Sequence, residues 1–450
     1  MKILKKKNML GKSLQIRFCF CFITNLKSLL ISILLNIILL LGLSWWIYRQ
    51  PLSTRLKPIF WLGLTIKLLA GIGVAVLYQY YYKEGDVFYI FHQGVLLKQI
   101  LLESPLDFWN FPHTGRELYE YYFGEFKDLN SRVIFFSKIV ALFNLLTGNN
   151  LFLTSLWFSL ISFFGFWHLA NVLVRLFPQT SIALFLSFFL LPSVVFWSSG
   201  LLKESLISGF ICLTIGLVLD VLHFENKPFQ IFIKLLGSTC LLWLSWNIKY
   251  YYIAILIPVL FSYFVVYQVN KKYPLSFIKQ ISLYFLCFIL GILLASFSNP
   301  NFSLGYFLVA IKDSYDTMIE TTDADNIIFF IDFDGSFVSL IKNIPTAIFA
   351  SLFEPLVWEA EKNWLKILIG VENIFIYSLL FFATPPSFKG EKHGLLLLSC
   401  VLYIFFLASF LAFTTPSIGT LVRYKVAFLP FWAYLITCKV NFSFFERIFR

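Results

Sequence analysis

Two carboxylates, Glu84 and Asp86, stand six residues or more ahead of a histidine, His92, in the run Tyr80-Tyr81-Tyr82-Lys83-Glu84-Gly85-Asp86-Val87-Phe88-Tyr89-Ile90-Phe91-His92. The run follows directly on an apolar stretch, residues 59–80, so the acids fall where a membrane helix would emerge among lipid headgroups. There Glu84, Asp86 and His92 would lie where an acceptor arriving from water can meet a lipid headgroup. From Asp86 to about Glu103 the spacing predicts a helix. His92, Gln99 and Glu103 share one face, and Val87, Ile90, Phe91, Leu97 and Leu101 share another. That pattern predicts a helix lying in the plane of the membrane surface.

The elements that must position these groups follow from composition. The chain has 450 residues, of which 59% are hydrophobic, 20% aromatic and only 13% charged, with a mean hydropathy of +0.79. Such a balance excludes a soluble globular domain and predicts a polytopic membrane protein. Lipid offers the backbone no partner, and no alternating barrel pattern is present, so the spans must be helices. The expected fold is all-α, a single integral membrane domain over residues 1–450. It has about 12 hydrophobic helices and two large outer loops, 81–132 and 299–363, that carry interfacial helices. The formal charge of +12 resides mostly in short tracts beside apolar runs, which is the positive-inside pattern and not a nucleic-acid footprint. Seven cysteines lie mostly in apolar stretches without metal-ligand spacing and predict neither a disulfide nor a metal site.

Taken in order, a basic leader with Lys2, Lys5, Lys6, Lys7, Lys12, Arg17 and Lys27 precedes apolar runs at 29–48 and 59–80. The leader and the turn holding Arg49, Arg55 and Lys57 cannot both be cytoplasmic if the first run spans once; an interfacial or hairpin-like segment 13–48 removes the conflict. Further runs are expected at 133–147, 151–177, 181–197, 202–222, 229–246, 251–269, 281–298, 364–383, 394–413 and 426–438, with 341–355 interfacial. This arrangement brings the basic flanks beyond residue 132 to one side.

The opposite, outer side then gathers unusual residues. Ser198-Ser199-Gly200 turns into a helix whose first turn holds Lys203 and Glu204. A lysine at a helix N-terminus opposes the helix dipole unless an anion lies between them, so Lys203 reads either as a phosphate contact or as a snorkelling lysine beside a carboxylate. Arg423 and Lys425 occupy another outer turn, as phosphate ligands or as headgroup anchors beside Tyr424, and Lys249 precedes Tyr250-Tyr251-Tyr252 at a third. Asp323, Asp325, Asp332 and Asp334 have spacings that suit a divalent cation, while Asp334-Gly335 is the stronger reading as a turn. Glu372 falls inside an apolar run, where an acid marks function, and His168 reads as a packed polar residue.

This organisation resembles the GT-C superfamily of integral membrane glycosyltransferases, which use polyprenyl-phosphate-linked sugars and include the protein mannosyltransferase and lipid A aminoarabinose transferase branches. The local pattern is carried by Glu84-Gly85-Asp86, residues 192–204 and residues 419–425. The resemblance implies Asp86 as general base with Glu84 as its partner or substitute. It makes Lys203, Arg423, Lys425 and Lys249 ligands of the lipid phosphate, with His92, Glu204 and Glu372 supporting the acceptor. It also implies inverting transfer at the outer face of a membrane, the bacterial inner membrane being expected, onto a glycan, lipid or protein acceptor. A divalent cation is the one cofactor considered, and no metal ligand is assigned. The acidic loop follows the second long run instead of the first, and no paired Asp-Asp or Asp-Glu is present, both departures from the superfamily. A polymerase or ligase of polyprenyl-diphosphate glycans, centred on Arg423 and Lys425, is the nearest alternative; a transporter or flippase is the other.

Overall fold

The computed structural model describes residues 30–50, 54–82, 85–114, 131–298, 303–359, 364–382 and 394–440, with single positions at 117 and 120. Glu84 and the basic leader lie outside the described residues. Helix makes up 87% of the structure, and no strand is present among the described residues. Eight helices there are long and apolar enough to cross a membrane: α1 (Leu30–Arg49), α2 (Arg55–Tyr82), α6 (Leu151–Leu176), α9 (Lys203–His223), α10 (Pro228–Lys272), α11 (its Phe277–Leu294 window), α14 (Trp364–Phe382) and α15 (Gly394–Thr414). Other helices are shorter: α3 (Asp86–Glu103), α4 (Pro105–Asn110), α5 (Ser131–Thr147), α7 (Pro178–Leu190), α8 (Pro192–Trp197), α12 (Leu304–Thr321), α13 (Phe337–Phe353), α16 (Ile418–Tyr424) and α17 (Leu429–Thr437). Proline opens α4, α7, α8 and α10, where its missing N–H costs no helical bond. The chain forms two compact units, residues 1–50 with 77–157 and residues 51–76 with 158–450.

In the first unit α3 packs along α5. Of the expected apolar face Val87, Ile90, Phe91 and Leu97 are buried and Leu101 is half-buried; of the polar face His92 and Glu103 are exposed and Gln99 is half-buried. The apolar face is covered by protein: Leu97, Ile100, Phe108, Phe111, Ile134 and Ala141 form one core, and Gly94 lets Val140 approach. Asn36 on α1 donates to the Leu146 carbonyl at 2.9 Å and accepts from Trp157 Nε1 at 2.6 Å, which ties α1 to the end of α5 and the start of α6.

In the second unit α10 is not one rod. Its 45 residues would extend about 67 Å if straight, twice the thickness of a bilayer core. Lys249 leaves helical geometry with φ −147° and ψ 88°. Lys234, before the break, reaches Asp220 near the end of α9 at 2.7 Å; Lys249 reaches Glu204 at its start at 2.6 Å. Tyr263, beyond the break, bonds His223, again at the end of α9, at 2.7 Å. The chain therefore reverses at Lys249, and residues 228–248 and 250–272 form a hairpin of two membrane-length helices, as the separate apolar runs at 229–246 and 251–269 predict.

Two expected spans differ. The run at 181–197 is broken at Leu191, whose extended ψ of 116° ends α7 before Pro192 starts α8; proline restricts the residue before it to that region. The run at 426–438 holds only the nine-residue α17, about 14 Å of helix and too short to span. Between α12 and α13, the Asp334 carboxylate accepts from the Ser336 backbone at 2.8 Å and Gly335 has φ 80°. Hydrogen bonds from the Ser339 and Ser336 hydroxyls and the Ser336 amide hold Asp334 down at about 2. Asp334-Gly335 is thus a turn, but it leads into helix α13 and not into a strand.

The turn between α8 and α9 rests on Gly200. Its φ is +69°, its N–H donates to Ser159 Oγ at 2.9 Å, and a Cβ there would lie 2.8 Å from the Val74 side chain. An L residue in that left-handed region costs about 1–2 kcal/mol before the clash is counted. Gly200→Ala is expected to lower the thermal unfolding midpoint in detergent micelles. Gly291→Ala, where an added methyl meets nothing within 4 Å, is expected to leave it unchanged.

Candidate functional site

Three of the sequence-predicted groups meet at the start of α9. Glu204, 3% exposed, sits in the first turn, and its Oε1 takes the Lys249 ammonium at 2.6 Å and the Arg423 guanidinium at 3.3 Å. Lys249 occupies the apex of the α10 hairpin and Arg423 the last turn of α16. Each cation is delivered by a point where a helix ends or reverses, which explains how three distant sequence positions converge. The Lys249 ammonium also lies 3.2 Å from the centroid of the Tyr424 ring. That charge, with Arg423 adding to it, draws the Tyr424 phenol below its ordinary range. Tyr252 closes the cluster by donating to the Tyr424 carbonyl at 3.1 Å.

Glu204 therefore engages two of the cations assigned to phosphate. The three groups sum to one positive charge, and all are shielded from solvent, where charge interactions are strong and desolvation is costly. Lys203, at the first position of α9, is half-buried.

Lys425, two residues beyond Arg423, belongs to a second cluster. The residue is 1% exposed, and its ammonium donates to the Glu354 carbonyl oxygen at 3.0 Å. Burial pushes it down to about 8, against the opposing pull of the Glu372 and Glu354 carboxylates. Glu372 on α14 is buried, and its Oε2 accepts from the Ser193 backbone N–H at 2.9 Å and the Ser193 hydroxyl at 2.7 Å. The acid inside an apolar run is thus fixed to the start of α8.

Asp86 is exposed in the first turn of α3, in the first unit, whereas both clusters lie in the second. His92 shares the exposed side of α3 and stacks on Phe88, ring centroids 6.4 Å apart. Among the described residues no group of three or more His, Cys, Asp or Glu side chains is placed to hold a metal.

Sequence reasoning missed two features. Lys67 lies inside the apolar run at 59–80, is 1% exposed, bonds Ser198 Oγ, and faces the Phe166 ring at 4.2 Å; a single charge in so apolar a run was the available signal. Asp220, with Arg175 at 3.5 Å and Lys234 at 2.7 Å, repeats at the far end of α9 the pattern of one acid between two cations. No protein-family model matches this chain, nor does any curated protein or solved structure.

Removing the carboxylate should leave Lys249 and Arg423 buried without their anion. Glu204→Gln is expected to destabilise by about 3–5 kcal/mol in equilibrium unfolding in mixed micelles. Adding Lys249→Met should recover much of that loss, with a coupling above about 1 kcal/mol. Additive effects of the two substitutions would show that the contact contributes nothing.

Proposed function

We propose that this chain is an integral membrane glycosyltransferase of GT-C-like organisation, with about twelve hydrophobic helices counting the shorter ones. It moves a sugar from a polyprenyl-phosphate-linked donor to a glycan, lipid or protein acceptor at the outer face of a membrane, the bacterial inner membrane being the expected one. The observation that carries this reading is the meeting of Lys249 and Arg423 at one buried carboxylate, with Lys425 two residues further along. A guanidinium binds phosphate oxygens in a bidentate way and an ammonium adds a point charge. Cations gathered at helix ends, beside tyrosines, suit a lipid phosphate held at the membrane boundary.

A phosphate-linked sugar already carries its leaving group. The enzyme must stabilise the departing phosphate and remove one proton from the acceptor hydroxyl, and both needs are met by fixed cations and a carboxylate. A single base suits inversion at the anomeric carbon, since the retaining route asks for a nucleophile as well. The transporter or flippase reading draws its one specific support from Lys67, buried within a membrane segment.

The test uses the full chain in lipid nanodiscs with a set of polyprenyl-phosphate glycosides and a membrane extract as acceptor source. Mass spectrometry follows free polyprenyl phosphate. The wild-type chain is expected to release it in the presence of acceptor, and Arg423→Gln to slow release by about 100-fold or more. Glycoside that crosses a liposome bilayer without cleavage would instead establish transport.

A further inference from the structure

We infer that Glu372 takes the acceptor's proton in the transfer reaction, an assignment that rests on the transferase reading above. Glu372 lies on α14, one of the membrane-length helices, and is 8% exposed. A carboxylate in such a place is expensive and is kept for a reason.

Part of that reason is structural. The break at Leu191 restarts the chain as α8, and Ser193 presents its amide and hydroxyl to Glu372 Oε2. Capping α8 accounts for Oε2 and for nothing else. The other oxygen, Oε1, is buried and has no hydrogen-bond donor among the described residues. A buried oxygen left without a donor costs about 1–3 kcal/mol, and an incoming O–H would satisfy it.

Its surroundings are set for that role. The neighbouring Asn373 donates to the Phe353 and Pro355 carbonyls at 3.0 and 3.2 Å, which fixes α14 against the end of α13. The same segment supplies the Glu354 carbonyl that holds Lys425. Lys425 is the charged neighbour of Glu372, and Arg423, two residues before it, belongs to the Glu204 cluster. Residues 423–425 thus bring one cation to Glu204 and another within electrostatic reach of Glu372. Asp86, by contrast, is exposed in the first turn of α3.

The step balances without a co-reactant. Glu372 Oε1 accepts the proton of the acceptor hydroxyl, and the acceptor oxygen forms its bond to the anomeric carbon. The bond from that carbon to the phosphate oxygen breaks, its electron pair leaving with polyprenyl phosphate, which the cations hold. Glu372 ends protonated and returns its proton to water.

The nanodisc release assay tests this with Glu372→Gln, Glu372→Ala and Asp86→Asn. Binding of undecaprenyl phosphate and the thermal midpoint are read on each variant. Glu372→Gln is expected to slow release by about 100-fold or more with undecaprenyl phosphate still bound. Formate added to Glu372→Ala is expected to restore part of the rate, an effect that a purely structural role would not give. Should Glu372→Gln prove unstable, the formate response of Glu372→Ala decides. Release retained in Glu372→Gln, with loss in Asp86→Asn, overturns the inference, returns the proton to Asp86 and leaves the transferase reading standing. A wild-type chain that releases no polyprenyl phosphate from any glycoside overturns both.

Discussion

The carboxylate oxygen shared by Lys249 and Arg423 is the constraint on which the second unit depends. Burying one acid and two bases is costly in any low-dielectric surrounding, and only mutual contact offsets it. Glu204 opens α9, Lys249 turns the α10 hairpin, and Arg423 ends α16, so one point fixes the ends of three elements. At the other end of α9, Asp220 binds Arg175 and Lys234. Glu204 and Asp220 are sixteen residues apart, about 24 Å along a helix. The first arm of the hairpin is consequently held to α9 at both ends by an ion pair.

The two charge clusters differ in how far their cations are buried. Around Asp220 the partner side chains keep 34% and 22% of their exposure, as expected of basic residues that reach the headgroups. Lys249 keeps 8% and Arg423 16%. A membrane anchor gains nothing from that degree of burial. The ion pairs with Glu204 do, because water no longer competes for the charges.

Much of the helical layout was legible because lipid compels every apolar run of sufficient length to satisfy its own backbone. The separate runs on either side of Lys249 predicted the hairpin, and the face division of α3 was readable from His92 against Val87 and Ile90. The break at Leu191 in the run at 181–197 had its signal in Pro192, which restricts the residue before it, but the length of the apolar run masked it. Nor did the apolar run at 426–438 show that its α-helix is only nine residues long. In the site, the residue types at 204, 249, 423 and 425 announced themselves as misplaced charges. Their partners did not, because pairing Glu204 with Lys249 and Arg423, and setting Glu372 near Lys425, depends on tertiary packing. Lys67 was hidden by the apolar run that surrounds it.

The reversal at Lys249 is the claim from which the position of the site follows, and sided labelling tests it directly. On a cysteine-free background in intact cells, single cysteines replacing Lys227, Asn247 and Tyr273 are probed with a membrane-impermeant maleimide before and after permeabilisation. The account predicts that Asn247→Cys labels from one side, the outer one, while Lys227→Cys and Tyr273→Cys both label from the other. Labelling of Lys227→Cys and Tyr273→Cys from opposite sides would mean that residues 228–272 cross only once, and would contradict it.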